Sequence, residues 1–198
     1  MDDAAFIARF RPAAAPRPHP GTYAGPSLTA AWSNFASVLT TVGGTALPLA
    51  SDLETRKETI AAAIAFAPGR VVAGRGAAPL LAGIPGWSPA TGTPHSWADV
   101  GLAIITARMA VAENAAVLID ADELPERALL VLAQHVLVLV PADTLVGGFC
   151  QAQAQVAARP LPWFTTWVSG PSKTADIEQT LVIGAHGART LSVLPFAA

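Results

Sequence analysis

Three nearly continuous runs of aliphatic and β-branched residues dominate the middle of the chain: residues 100–106, 110–119 and 135–140. A strand facing water on one side alternates polar with apolar residues. A strand without that alternation is covered on both faces, the situation of strands in a parallel sheet packed between helices. The remaining segments fit this frame. A helix is predicted from Ser27, its N-cap, through about Val42, with Leu28, Ala31, Trp32, Phe35, Val38 and Leu39 at helical spacing and Gly43-Gly44 as its stop. Residues 45–49 read as a short strand. Ser51 or Asp52 caps a second helix, with Ile60, Ile64 and Phe66 inward and Pro68-Gly69 ending it. Residues 70–73 form a buried strand, and a Gly/Pro-rich loop region follows. Beyond the first two long runs come a short helix at 125–132, the strand 135–140, a helix at 143–158, a strand at 163–169, a helix at 174–183 and a last strand at 190–194. Alternating strands and helices predict an α/β fold: a doubly wound, mostly parallel sheet with helices on both faces. The stretch around Glu113 to Ala116 is expected to form an antiparallel excursion from that sheet.

Composition narrows the functional classes. The chain has 198 residues, 52% hydrophobic and 13% charged, enough for one domain with a substantial core and far too apolar for disorder. A net charge of -2 with scattered basic residues excludes a general nucleic-acid binder, which needs an excess of Lys and Arg against phosphate. The longest apolar stretches do not read as membrane spans. Residues 128–140 are too few and contain Gln134 and His135, and residues 100–119 contain Arg108, Glu113 and Asn114. The opening, with Asp2 and Asp3, lacks the basic and apolar regions of a secretory signal, so a cytoplasmic location is expected. Residues 1–26, with Pro12, Pro16, Pro18, Pro20 and Pro26, are read as a short helix and a proline-rich arm; residues 27–198 are the α/β domain.

The sequence holds one cysteine, Cys150, and four histidines without close metal-ligand spacing. An iron–sulfur cluster takes about four cysteine ligands, so no cluster and no metal site are expected on this chain.

Three segments carry candidate chemistry. In Ser169-Gly170-Pro171-Ser172-Lys173-Thr174-Ala175-Asp176-Ile177-Glu178, an apolar strand gives way to a turn and a helix start. Ser172 or Thr174 there caps the helix, and Asp176 complements its dipole. With Lys173 adjacent, the free N–H groups also suit an anion. Capping alone explains the local pattern, so both readings stand. In Gly184-Ala185-His186-Gly187-Ala188-Arg189, His186 is a candidate proton carrier or a turn histidine, and Arg189 a candidate carboxylate partner or a surface residue. Glu113, between two apolar runs, is solvated at a strand end, structurally paired, or a catalytic nucleophile or base. Gly74-Arg75-Gly76 lacks the third glycine of a dinucleotide fingerprint. His135 reads as a core histidine and Cys150 as a small buried hydrophobe.

The run from Ser169 to Glu178, followed by Thr180-Leu-Val-Ile-Gly-Ala-His-Gly187 and Arg189, resembles the C-terminal signature of the lactate-utilisation protein C family, built on a LUD domain. Weaker similarity runs through residues 136–141, 99–101 and Val42-Gly43-Gly44. In that family the segment matching residues 111–117 reads Ile-Ala-Glu-Thr-Gly-Ser/Thr before an apolar residue. Here Glu113 is kept, and Asn114-Ala115-Ala116 replaces the rest, so a permissive glycine and hydroxyl donors are lost.

The resemblance implies a fold like the sugar-phosphate isomerases and CoA-transferases. It also implies a role in oxidising L-lactate to pyruvate beside partner subunits that hold iron–sulfur clusters. On that reading the chain is an accessory or substrate-handling subunit. Ser172, Lys173, Thr174, Asp176, His186 and Arg189 would contact a small carboxylate. The alternatives are a stand-alone enzyme of the CoA-transferase or isomerase type using Glu113, and a non-catalytic binding module.

Overall fold

The structure is a computed structural model that describes residues 28–160, 162–174, 182–184 and 186–197; the proline-rich arm lies outside the described residues. Six parallel strands make the main sheet, in the order β1-β12-β7-β4-β2-β3. They are β1 (Thr45–Ala46), β2 (Arg70–Ala73), β3 (Ser88–Pro89), β4 (Val100–Thr106), β7 (His135–Pro141) and β12 (Thr190–Phe196). Two of the long runs seen in the sequence, 100–106 and 135–140, occupy its centre, while the third, 110–119, is split between two strands of a second sheet. β7 pairs with β12 from Thr190↔His135 to Phe196↔Pro141, and with β4 from Leu102↔His135 to Thr106↔Leu139.

Successive side chains on these strands enter two different cores, as the twofold strand repeat dictates. Leu102, Ile104, Leu137, Leu139 and Leu194 pack with Ile60 of helix α2 (Leu53–Ala65). Ala103, Ile105, Val136, Val138, Leu191 and Val193 pack on the other face with Phe35 and Leu39 of α1 (Trp32–Thr41) and Leu129 of the short α3 (Leu129–Leu132). Both faces are apolar and each is covered by helix, which is why the strands show no polar alternation.

A second sheet shares the α1 side. Its order is β8-β5-β6-β9: β5 (Met109–Val111), β6 (Val117–Asp120), β8 (Leu145–Val146) and β9 (Thr165–Val168). β5 and β6 are antiparallel, as expected of the segment around Glu113, but they leave the main sheet entirely. Ala110, Val117 and Ile119 face the main core, while Met109, Val111 and Leu118 pack under Ala152 and Val156 of α4 (Phe149–Ala157).

Several expectations are corrected. The helix expected from Ser27 begins, among the described residues, only at Trp32, because Leu28 and Thr29 lie against Ala112, Glu113 and Gly147. The helix expected over 143–158 starts only at Phe149, because β5 recruits Leu145 and Val146 as a parallel edge. Phe66 is 88% exposed at the end of α2 instead of inward. His135 is half-buried at the start of β7, its Nδ1 2.8 Å from Thr190 Oγ1, not a core histidine. Cys150 is likewise half-buried. Asp52, one of the two proposed caps of α2, accepts from the Thr55 N–H at 2.8 Å. Among the described residues no helix is long and apolar enough to cross a membrane.

Gly101 sits at an irregularity in the main sheet. The β2–β4 register jumps from Arg70↔Val100 to Val71↔Leu102, which leaves Gly101 as the extra, bulged residue. A Cβ there would lie 1.9 Å from the Pro68 carbonyl oxygen. Just before it, Asp99 is paired with Arg70 at 2.7 Å.

Candidate functional site

The chain segments that carry the family resemblance lie far apart in sequence and meet in space. Residues 169–174 follow β9. Gly170, at φ +74°, passes the end of α1 so closely that a Cβ would sit 2.7 Å from the Val42 carbonyl oxygen. The Lys173 ammonium donates to the same Val42 oxygen, a cation at a helix carboxyl end where the dipole favours it. Ser169 Oγ donates to the Asn114 carbonyl at 2.7 Å, which ties this loop to the segment containing Glu113. Ser172 N–H donates to the Ala188 carbonyl (3.0 Å), and Gly184 N–H donates to the Ser172 carbonyl (2.9 Å), which joins the turn containing His186.

This loop cluster closes one end of a cleft of about 630 Å³. One wall is Phe164, the rest of β9 from Thr166, and its continuation to Ser172. The other is Arg127, Leu130 and Val131 from α3 and the turn before it, with Val136, Ala188 and Leu191 from the amino ends of β7 and β12. The lining is mostly apolar. Its polar groups are the Ser169, Ser172 and Thr166 side chains, exposed His186, and Arg127 at the rim. A half-open apolar cleft with a few convergent polar groups is the usual form of a small-ligand or segment-binding site.

The candidate residues divide. Ser172 and His186 line the cleft. Lys173 is spent on the end of α1, and Arg189, exposed, lies outside the cleft lining, its backbone N–H donating to Gln134 O at 2.7 Å. The side chain of Thr174 and the whole of Asp176 lie outside the described residues. The helix expected over 174–183 is corrected at its ends: β10 (Lys173–Thr174) and β11 (Val182–Ile183) pair as an antiparallel ribbon, so Ser172 precedes a strand and not a helix. Arg127, Phe164, Thr166 and Trp167 are lining residues that no sequence spacing marks. Their only common signal is that an aromatic-rich strand edge faces a turn 40 residues earlier.

Glu113 is placed elsewhere. Its carboxylate accepts the Phe149 N–H at 2.7 Å and so anchors the amino end of α4 at a smaller cleft with Leu28, Thr29 and Asn34. Two residues on, Ala115 holds φ +52°, the left-handed conformation that the family's glycine would adopt without strain. Ala115→Gly is therefore expected to stabilise the fold by about 1 kcal/mol, read as a higher urea midpoint with an unchanged slope. An unchanged or lower midpoint would show that Ala115 is not strained.

Open α/β sheets usually bind ligands where strand order reverses, at the carboxyl ends. Here that point lies between β2 and β4. It is filled by the chain itself: Thr106 Oγ1 donates to Glu123 Oε2 (2.9 Å), and Gly76 N–H donates to the Glu123 carbonyl (2.9 Å). Beside it Asp120, 0% exposed, accepts from Arg108 at 2.6 Å and Arg159 at 3.1 Å. Burial pushes the Asp120 carboxyl up, but the hydrogen bonds from Arg108 and Arg159 and the Arg108 charge outweigh it and hold it below its ordinary value.

Comparison with known proteins agrees with this architecture. A DUF162 family protein from Deinococcus radiodurans has the same fold at a TM-score of 0.62 and 20% identity, covering 83% of this chain and 95% of that one. Lactate utilization protein C 1 of Bacillus mycoides is 36% identical over 95 residues, 46% of this chain and 40% of that protein. Lactate utilization protein C of an Exiguobacterium species is 30% identical over 124 residues, 52% and 53% of the two chains. The matched part thus spans about two fifths to half the length of these curated relatives. The model of the LUD domain matches residues 95–194, from before β4 into β12, half of the chain and all of the cleft lining. The chain belongs to the LUD domain family.

Proposed function

We propose that this chain is an accessory, substrate-handling subunit of an L-lactate oxidation system, acting beside partner subunits that carry iron–sulfur clusters. The observation that carries this reading is the cleft: segments that carry the family resemblance in the sequence converge on it, and its polar end offers Ser169, Ser172 and His186 to a small carboxylate. The names of the relatives supply lactate as the carboxylate. With a single cysteine the chain itself does not suit a cluster, so electrons from lactate pass to groups held elsewhere. The part left to this chain is to bind and orient the carboxylate. The Ser172 hydroxyl donates a hydrogen bond, and His186 donates from its ring and, when protonated, adds charge.

The test is a Ser172→Ala, His186→Ala double variant in the reconstituted system. The lost donors are worth about 1.5–3 kcal/mol, so lactate-dependent dye reduction should need about 10–100-fold more lactate while the partners still co-purify. An unchanged lactate requirement would remove the carboxylate from this cleft. The stand-alone enzyme reading comes second here, because Glu113 accepts the Phe149 N–H at the start of α4 and lines the smaller cleft.

A further inference from the structure

The cleft is far larger than its proposed carboxylate. A three-carbon hydroxy acid has six non-hydrogen atoms and displaces on the order of 100 Å³, a few times the ~30 Å³ share of one water, against the cleft's 630 Å³. The polar loop cluster accounts for one end. The remaining length runs beside β9, and β9 is the last strand of its sheet.

The ladder fixes which groups of β9 are free. β9 pairs antiparallel with β6, Thr165 opposite Asp120 and Trp167 opposite Leu118. Ala121 N–H donates to the Phe164 carbonyl at 3.0 Å, so Phe164, Thr166 and Val168 spend their backbone groups on β6. Thr165 and Trp167 therefore turn their N–H and C=O away from β6, and among the described residues no backbone partner meets them. Unpaired strand edges are templates for another strand. Here the edge adjoins an apolar wall made by Leu130, Val131, Val136 and Leu191, with Val131 56% exposed. At the Phe164 end the Arg127 guanidinium stacks 4.7 Å from the Trp163 ring centre and 5.8 Å from that of Phe164, and it takes part in no ion pair among the described residues.

We propose that β9 is a docking edge for an extended segment of a partner polypeptide, which adds a strand against Thr165 and Trp167. The incoming strand sets apolar side chains against Val131 and Val136 and an acidic side chain on Arg127. Edge pairing supplies main-chain hydrogen bonds, and the side-chain pockets select the sequence, as in other strand-addition complexes. Arg127 is exposed and its guanidinium lies over the Trp163 and Phe164 rings, so its in-plane N–H groups suit a carboxylate. The inference rests on the accessory-subunit reading and names the surface through which the partner is held.

The test is amide hydrogen exchange at Thr165 and Trp167, in the full chain alone and in the assembly recovered with the iron–sulfur subunits. Both amides should exchange freely in the lone chain and at least 10-fold more slowly in the assembly. Thr165→Pro removes one outward N–H and leaves the β6 ladder intact. It should lower partner retention at least 10-fold, whereas Thr165→Val, which keeps the N–H, should retain the partner. If the assembly forms and the two amides exchange as fast as before, the docking edge is wrong and the accessory reading stands. If the amides are already slow in the lone chain, the chain covers its own edge and the proposal falls. If no assembly forms at all, the accessory reading fails and the docking edge with it.

Discussion

Replacing Asp120 with asparagine is expected to lower the stability of this protein by about 3–5 kcal/mol, the cost of breaking a buried ion pair from one side. Asp120 is fully buried, and its carboxylate holds Arg108 at 2.6 Å and Arg159 at 3.1 Å while also accepting the Asp122 N–H at 3.1 Å. An amide keeps the shape and loses the charge, so two guanidinium groups face an uncompensated centre. Arg108 also reaches Asp122 at 3.2 Å, which puts the expected value toward the lower end of the range. The pH dependence gives an independent reading. The Asp120 carboxyl titrates below its ordinary 3.8 in the folded chain. Its contribution is therefore complete above the unfolded value and is lost as pH falls through the folded one. The stability gap between wild type and Asp120→Asn should be constant from about pH 5 to 8 and narrow below about pH 4. Urea unfolding at a series of pH values measures this. A gap independent of pH down to 2 would mean that the carboxylate charge is not what stabilises the site.

Gly101→Ala is expected to cost about 3 kcal/mol or more, because the new methyl group meets backbone that has no room to move. The Pro68 carbonyl oxygen would be 1.9 Å away and the Gly69 nitrogen 3.2 Å, and β4 is buried along its whole length. Relief requires either opening the β2–β4 pairing or shifting the end of α2. Thermal unfolding of a chain this size moves by roughly 2–4 °C per kcal/mol, so a drop of about 6–12 °C is the expected result. A drop under 2 °C would mean that the bulge accepts a side chain and that the close approach is not required.

What the sequence made legible follows from how local each signal is. β4, β7 and β12 are long runs whose apolar character on both faces has a single explanation, and their burial matches it. The second sheet was illegible because its pairings are remote and its strands short. β8 has two residues, and it becomes a strand only because Ala110, 35 positions earlier, offers an edge. Residues 173–183 carry a helical pattern, yet Lys173 pairs with Ile183, a contact no window of helical spacing anticipates. The site divides the same way. Ser172 and His186 stand in turns that glycine and proline punctuate, so they were visible. Arg127 and Trp167 reach the same cleft from separate elements, and only the packing of β9 against the α3 turn brings them together. Glu113 was singled out for the cost of burying a carboxylate, and the structure removes that cost by leaving it exposed, where it accepts the Phe149 N–H. Asp120 and Arg108, which make the shortest ion pair among the described residues, flank a run read only as strand.

The most direct test of the account is to tag this chain, recover it gently from cells grown on lactate, and assay what comes with it. The account predicts cysteine-rich iron–sulfur proteins in stoichiometric amounts and dye reduction that depends on lactate. A chain that returns alone from preparations in which known complexes stay intact, with no lactate-dependent reduction on adding back the cell extract, would contradict it.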